Sequence, residues 1–151
     1  MRPARIALAI CGLVPGLWGA DPFVGTWKLN PARCAYTAGQ PMKEQTITIT
    51  ESGSDLEVQV QGISASGEPT RSHYTVPVAG GEGKIIQSTY EAVSAKRLGA
   101  KERQTNFSQG GKLVFSVRTV LSVDGKTLSA HVKGTDPAGK SVAGVSVFDR
   151  Q

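Results

Sequence analysis

The sequence predicts an all-β protein: an antiparallel up-and-down β-barrel of eight to ten strands, with a two-sheet β-sandwich as the alternative. Three observations lead there. From Gly25 onward apolar residues alternate with polar ones at period two, and hardly any window carries the spacing of an amphipathic helix. Gly80-Gly81, Gly110-Gly111 and Asp124-Gly125 break this alternation at short intervals, as hairpins with positive-φ turns require. Segments joined so closely pair antiparallel as a meander, and a twisted sheet of this many strands removes its exposed edges by closing.

The first strand runs from Val24 to Leu29. Between Asn30 and Lys43 the composition shifts to Pro31, Gly39 and Pro41 with few apolar residues, which reads as a loop long enough to serve as a lid. Thr46 to Thr50 and Leu56 to Val60 are β-branched, alternating strands separated by a turn over Glu51 to Asp55. His73 to Val78 follows, with Pro77 marking a strand end. One or two strands lie between Ile85 and Leu98, and the rest are Gln104 to Ser108, Leu113 to Leu121, Thr127 to Val132 and Val145 to Phe148. Val60-Gln61-Gly62 with Gly67 is echoed by Val132-Lys133-Gly134 with Gly139, which reads as one hairpin geometry used twice.

Alternation also assigns faces. Ile47, Ile49, Val58, Val76, Phe115 and Val117 fall on the inward side, where they would contact a small, largely apolar ligand. Leu113, Phe115, Val117 and Leu121 make one apolar face of their strand, which would turn Arg118 outward, with an inward Arg118 as the alternative.

Residues 1–20 carry Arg2 and Arg5, an apolar run from Ile6 to Leu17 and small residues before Asp21, the layout of a secretory signal. The run is too short for a transmembrane anchor, which needs about 20 residues. Cleavage after Ala20 places Trp18 where a small residue is preferred, and cleavage after Gly19 is the alternative. Residues 21–151 then form one domain, secreted or periplasmic, of a size that buries roughly 70% of its unfolded surface. Cys11 leaves with the leader, so Cys34 stands alone. The expected state is a monomer, with a Cys34-linked dimer as the alternative. Losing two arginines also lowers the formal charge of +5, and the remaining basic residues are dispersed, which sets nucleic acid aside as a partner.

Nothing in the pattern indicates a reaction. His73 and His131 lie in separate strands without further donors at metal-ligand spacing, so no metal and no cofactor are expected. No serine stands in a nucleophile elbow, no Ser–His–acid set is evident, and no pair of carboxylates singles itself out, so no catalytic residue is assigned.

Phe23-Val24-Gly25-Thr26-Trp27-Lys28-Leu29 resembles the opening of the calycin barrels: it has the G-x-W of lipocalins and the F-x-G-x-W-K-L of intracellular fatty-acid-binding proteins. Val123 to Lys126, Val132 to Gly134 and Val145 to Arg150 resemble the last two strands of the latter. Most of Gly25 to Gln151 is also similar to small secreted lipocalin-like proteins of soil bacteria, a group that brings no known activity. The resemblance implies that Gly25, Trp27 and Arg150 close the barrel's base, with the guanidinium on the indole face. Two departures matter. Pro31 to Pro41 is too short for the two-helix lid of the fatty-acid binders. Ser146-Val147-Phe148 also replaces their anion-holding R-x-Y, leaving Arg118 as the nearest substitute.

Two non-catalytic functions compete on these grounds. One is a carrier holding an apolar molecule inside the barrel. The other is a barrel filled by its own side chains that contacts a protein or the envelope through its loops.

Overall fold

The computed structural model of the protein describes residues 21–136 and 138–151, so the leader expected at 1–20 lies outside the described residues. The strands are β1 Gly25–Leu29, β2 Ala35–Ala38, β3 Glu44–Ser52, β4 Asp55–Ile63, β5 Pro69–Pro77, β6 Gly81–Glu82, β7 Lys84–Gln87, β8 Ala92–Gly99, β9 Glu102–Gln109, β10 Lys112–Leu121, β11 Thr127–Thr135 and β12 Ser141–Arg150. Among the described residues the one helix is a 3-10 turn, Pro31–Arg33. All strands belong to one antiparallel sheet of order β6-β8-β9-β10-β11-β12-β1-β3-β4-β5-β7, with β2 added on β12.

Closure is made by the chain between β5 and β8. Only Gly83 separates β6 from β7, yet β6 pairs with β8 and β7 pairs with β5. One segment therefore crosses from one wall to the other and joins the two ends of the sheet. At the crossing, the Gly83 N–H donates to the Val93 carbonyl (2.9 Å). A Cβ on Gly83 would collide with the Thr75 carbonyl oxygen, so the crossing requires glycine.

Twelve segments exceed the eight to ten expected, for two reasons. The crossing segment is divided by Gly83, and the expected loop from Asn30 to Lys43 holds a strand. β12 runs on past the end of β1, so its edge is bare from Val145 to Ala143. β2 covers that edge with Ala35 opposite Val145 and Tyr36 opposite Gly144. Pro31 and Gly39 concealed this strand in the sequence, because they bracket a run of only four residues.

The repeated glycine pattern is one hairpin used twice. Ser64 N–H donates to Glu68 O and Gly67 N–H to Ser64 O, while Asp136 N–H donates to Lys140 O and Gly139 N–H to Asp136 O. A Cβ on Gly62 or Gly134 would strike the carbonyl of Glu44 or Val114 respectively, so these glycines permit close strand approach. One face assignment changes. Register shifts between Leu113 and Phe115, so Leu113 pairs with Ser108 while Phe115 pairs with Phe107. This bulge turns Leu113 outward, where it is 60% exposed.

The barrel has two unlike ends. The base collects the chain from Asp21 to Val24, the end of β12, and the turns at Gly53, Gly80, Ala100 and Gly125. There Phe23, Trp27, Leu56, Val76, Leu128 and Phe148 are the largest fully buried side chains. The mouth is ringed by β2 and by the loops after β4, β7, β9 and β11.

Gly83→Ala is expected to destabilise the protein by about 1–3 kcal/mol, because backbone must move to admit the methyl group. Gly99→Ala, whose Cβ would meet nothing within 4 Å, is expected to change stability by less than about 0.5 kcal/mol. Urea unfolding of the two variants measures the contrast.

Candidate functional site

The site is built up from the base. Trp27 is fully buried, and its indole N–H donates to the Phe23 carbonyl (3.0 Å). The Arg150 guanidinium lies 4.1 Å from the indole centroid and donates to the carbonyls of Val24 (2.8 Å), Pro22 (2.9 Å) and Gly125 (2.8 Å). A Cβ on Gly25 would meet Arg150 Nη1, and the φ of +147° there also favours glycine. Arg150 thus ties Pro22 and Val24 to β12 and the β10–β11 turn, directly beneath the core.

Above the base, register gives every wall its inner row. Ile49, Val58 and Tyr74 stand side by side, followed toward the mouth by Ile47, Val60 and Ser72. On the far wall Thr119 aligns with Ala130 and Val117 with Thr105 and Val132. Of the six apolar residues assigned inward from the sequence, Ile49, Val58 and Val76 are buried in the core at 8%, 6% and 2% exposure. Ile47, Phe115 and Val117 are only half-buried, as are the inward-facing Val60, Thr105, Thr119 and Val132. Side chains that face inward and still meet solvent outline an open cup in the mouth half of the barrel.

One side of the mouth is aromatic. Tyr90, from the β7–β8 turn, stacks on Phe115 (5.9 Å, 9°) and leans on Phe107 (5.1 Å), whose ring meets the edge of Tyr74 (5.3 Å). The Tyr90 hydroxyl donates across the rim to the Thr135 carbonyl (3.4 Å). On the opposite side, Tyr36 of β2 points inward and shares a 2.6 Å hydrogen bond with Ser146 Oγ.

The polar group that matters most inside was not singled out from the sequence. Arg103, on the inner row of β9, is 4% exposed and lies over the Phe23 ring (5.6 Å). Among the described residues no hydrogen-bond acceptor reaches its buried Nη1. Burial lowers its pKa, partly countered by Asp21, whose carboxylate is itself ion-paired with Arg97 (2.7 Å). An unmet buried donor costs about 1–3 kcal/mol, more when charged. The available signal was parity, since Arg103, Thr105 and Phe107 alternate onto one face. Arg118, by contrast, points outward and pairs with Glu102 (2.7 Å), so it does not replace the missing R-x-Y. At those positions Ser146 is occupied by Tyr36 and Phe148 is packed into the base.

Other polar features lie outside the barrel. A groove of about 720 Å³ runs over the outer face of β3, β4 and β5, lined by Thr46, Gln59, Gln61 and Arg71 among others, and a second of about 480 Å³ includes Arg118, His131 and Lys133. His73 shares a 2.6 Å hydrogen bond with Glu57 on the outer face. Among the described residues no group of three or more His, Cys, Asp or Glu side chains is placed to hold a metal ion. The Cys34 thiol is half-buried and turned toward the Asn30 carbonyl (3.4 Å). No helix among the described residues is long and apolar enough to cross a membrane.

Replacing Arg150 by Met removes three charge-assisted bonds to carbonyls and is expected to cost about 1–3 kcal/mol. Arg150→Lys, which lacks the planar fork, recovers only part of this in denaturant unfolding. Burial pushes the phenols of Tyr74 and Tyr90 up to about 12, with Arg103 opposing at Tyr74 and Asp136 reinforcing at Tyr90. Unfolded tyrosine ionises near pH 10, so between about pH 10 and 12 the unfolded chain holds fewer protons and stability falls as pH rises. Tyr74 accounts for about 2–3 kcal/mol of this loss. Unfolding at a series of alkaline pH values, with Tyr74→Phe flattening the decline, is the check.

No family model and no curated protein matches the chain. Among solved structures it is similar to the zebrafish ileal bile acid-binding protein complexed with cholic acid, at 12% identity and a TM-score of 0.50, over 86% of this chain and 99% of that one. It is also similar to a redesigned β-barrel bound to DFHBI, at 12% identity, TM-score 0.43, over 85% and 95% of the two chains. A third likeness is to the siderocalin Ex-FABP, at 11% identity, TM-score 0.38, over 86% and 71%. The last two scores are too low to carry an argument. The first, together with the closed antiparallel sheet and its sealed base, gives the conclusion that the chain has the fold of the lipocalin and fatty-acid-binding barrels.

Proposed function

We propose that the protein is an exported, non-catalytic carrier that holds one small, largely apolar molecule in the mouth half of its barrel. The observation that supports this most is the contrast within one interior. The base is sealed by fully buried side chains, while Ile47, Val60, Val117 and Val132 above it face inward and remain half-exposed. Apolar ligand surface buried against such walls contributes roughly 25 cal/mol per Å². No bond is made or broken in this reading.

Arg103 adds a preference of orientation. A ligand with an acidic or carbonyl end gains a charge-assisted hydrogen bond at the cup's floor and relieves an unmet donor there. The zebrafish neighbour was crystallised with cholic acid, a molecule of that general kind. The leader supports export to the periplasm or beyond, and a closed barrel acts as a carrier in the monomeric state.

Native mass spectrometry of the exported protein, followed by organic extraction, tests the reading. The expected result is a near-stoichiometric apolar molecule, or uptake of an environment-sensitive apolar dye by the empty protein. Val117→Trp, which fills the cup, is expected to weaken dye or ligand binding at least about tenfold while the fold persists. Arg103→Met is expected to weaken an acidic ligand more than its uncharged analogue, by about tenfold or more. A protein that carries nothing and takes up no dye overturns the carrier reading and leaves a filled barrel that acts through its loops.

A further inference from the structure

The outer face of β8 to β12 carries a set of donors that neither barrel closure nor the interior uses. Because Thr105, Val117 and Val132 face inward, the residues between them face out, and register aligns these in two rows. One row runs Lys96, Gln104, Arg118, His131 and Val145. The next, toward the mouth, runs Ser94, Asn106, Ser116 and Lys133. Gln104, Ser116, Arg118, His131 and Lys133 line the groove of about 480 Å³, and Val145 gives it an apolar edge.

Hydrogen bonding fixes what this face offers. Asn106 Oδ1 accepts from Gln104 Nε2 (2.9 Å) and from Ser116 Oγ (2.8 Å), so both of its acceptor sites are taken and its amide N–H groups are left to an incoming acceptor. Arg118 gives Nη1 to Glu102 (2.7 Å), a carboxylate one row nearer the base, opposite Val120. Among the described residues no carboxylate forms an ion pair with Lys96, His131 or Lys133. The groove therefore presents cationic and N–H donors. The larger groove over β3 to β5 differs, since its lining includes both Glu44 and Arg71 among amides and hydroxyls.

We propose that this outer groove binds a phosphate-type oxyanion, held between Arg118 and Lys133 with His131 and Asn106 as further N–H donors. Arg118 and Lys133 are diagonal neighbours across β10 and β11, because Arg118 stands opposite His131 and Lys133 opposite Ser116. Such diagonal pairs are about 7–8 Å apart at the strand, a span that one tetrahedral oxyanion bridges with a hydrogen bond of about 2.8 Å on either side. The guanidinium keeps N–H groups beyond the one given to Glu102, and its planar fork matches two oxygens of such a group. Lys133 adds a point charge on a flexible stem. Glu102 lies on the side of Arg118 away from Lys133, so its carboxylate leaves the place between the two cations open. The same chemistry is offered by inorganic phosphate and by the phosphate of a lipid headgroup.

The purified protein is titrated calorimetrically with inorganic phosphate in a chloride buffer and, in parallel, sedimented with phosphatidylcholine vesicles that contain or lack phosphatidylglycerol. Arg118→Gln combined with Lys133→Gln removes the two cations of the groove, and Arg71→Gln combined with Lys84→Gln removes the same charge from β5 and β7. Saturable binding is expected in at least one arm, weakened at least about tenfold by the first pair and less than about twofold by the second. Lys133→Gln alone, at an exposed position, is expected to weaken binding at least about threefold, and it decides the matter if the double variant does not fold. Binding of inorganic phosphate assigns a soluble ligand, and binding only to the phosphatidylglycerol vesicles assigns a lipid headgroup. No binding in either arm, binding that survives loss of Arg118 and Lys133, or equal weakening by both pairs overturns the proposal. Every residue involved faces outward, so no outcome depends on whether the interior carries a ligand.

Discussion

The stack of Arg150 on Trp27 is the constraint on which the rest of the barrel rests. Strand pairing alone holds neighbouring strands together, but it does not stop a sheet from opening at one end. Arg150 reaches from the last strand to the carbonyls of Pro22 and Val24 and to that of Gly125, while its plane covers the indole. Three parts of the chain that are remote in sequence, residues 22–27, the turn at Gly125 and the end of β12, are joined by one side chain. Arg150 stays exposed, so its N–H groups meet carbonyl oxygens and its face meets a π-system without the cost of burying the charge. Gly25 is part of the same device, since a side chain there would occupy the space the guanidinium needs.

A base sealed in this way decides the character of the interior. Phe23, Leu128 and Phe148 fill the floor, so any space left in the barrel must open toward the other end. The inner rows then thin out upward, from Leu56 and Val76 through Ile49 and Val58 to Ile47 and Val60, as burial gives way to partial exposure. Arg103 sits at the boundary. It is held over Phe23, close to Tyr74, and its Nη1 finds no acceptor among the described residues. The half-exposed inward row above it stands apart from the two polar grooves on the outer face.

The sheet itself closes through backbone geometry at a few points where side chains would intrude. Gly83 lets one segment cross between walls, and Gly62 and Gly134 let strands approach before the two matching hairpins at the mouth. The bulge before Phe115 has the opposite effect on a side chain, expelling Leu113 while keeping Phe115 in the aromatic group. These are local departures from regular pleating, and together they give an open meander the curvature of a barrel.

Sequence by itself determined the class of fold and the order of most strands, because period-two alternation and glycine turns are local properties that survive any tertiary arrangement. The repeated hairpin was legible for the same reason. Tertiary structure alone decided the rest. β2 became a strand because β12 outruns β1 and offers an unpaired edge, which no property of Ala35 to Ala38 announces. Leu113 left the inner face because one bulge inverts parity, and Arg103, on the same face as Thr105 and Phe107, is buried because Phe23 from a distant segment packs its ring against the guanidinium. Each of these depends on what a distant segment leaves uncovered, and a pattern read within one strand does not carry that information.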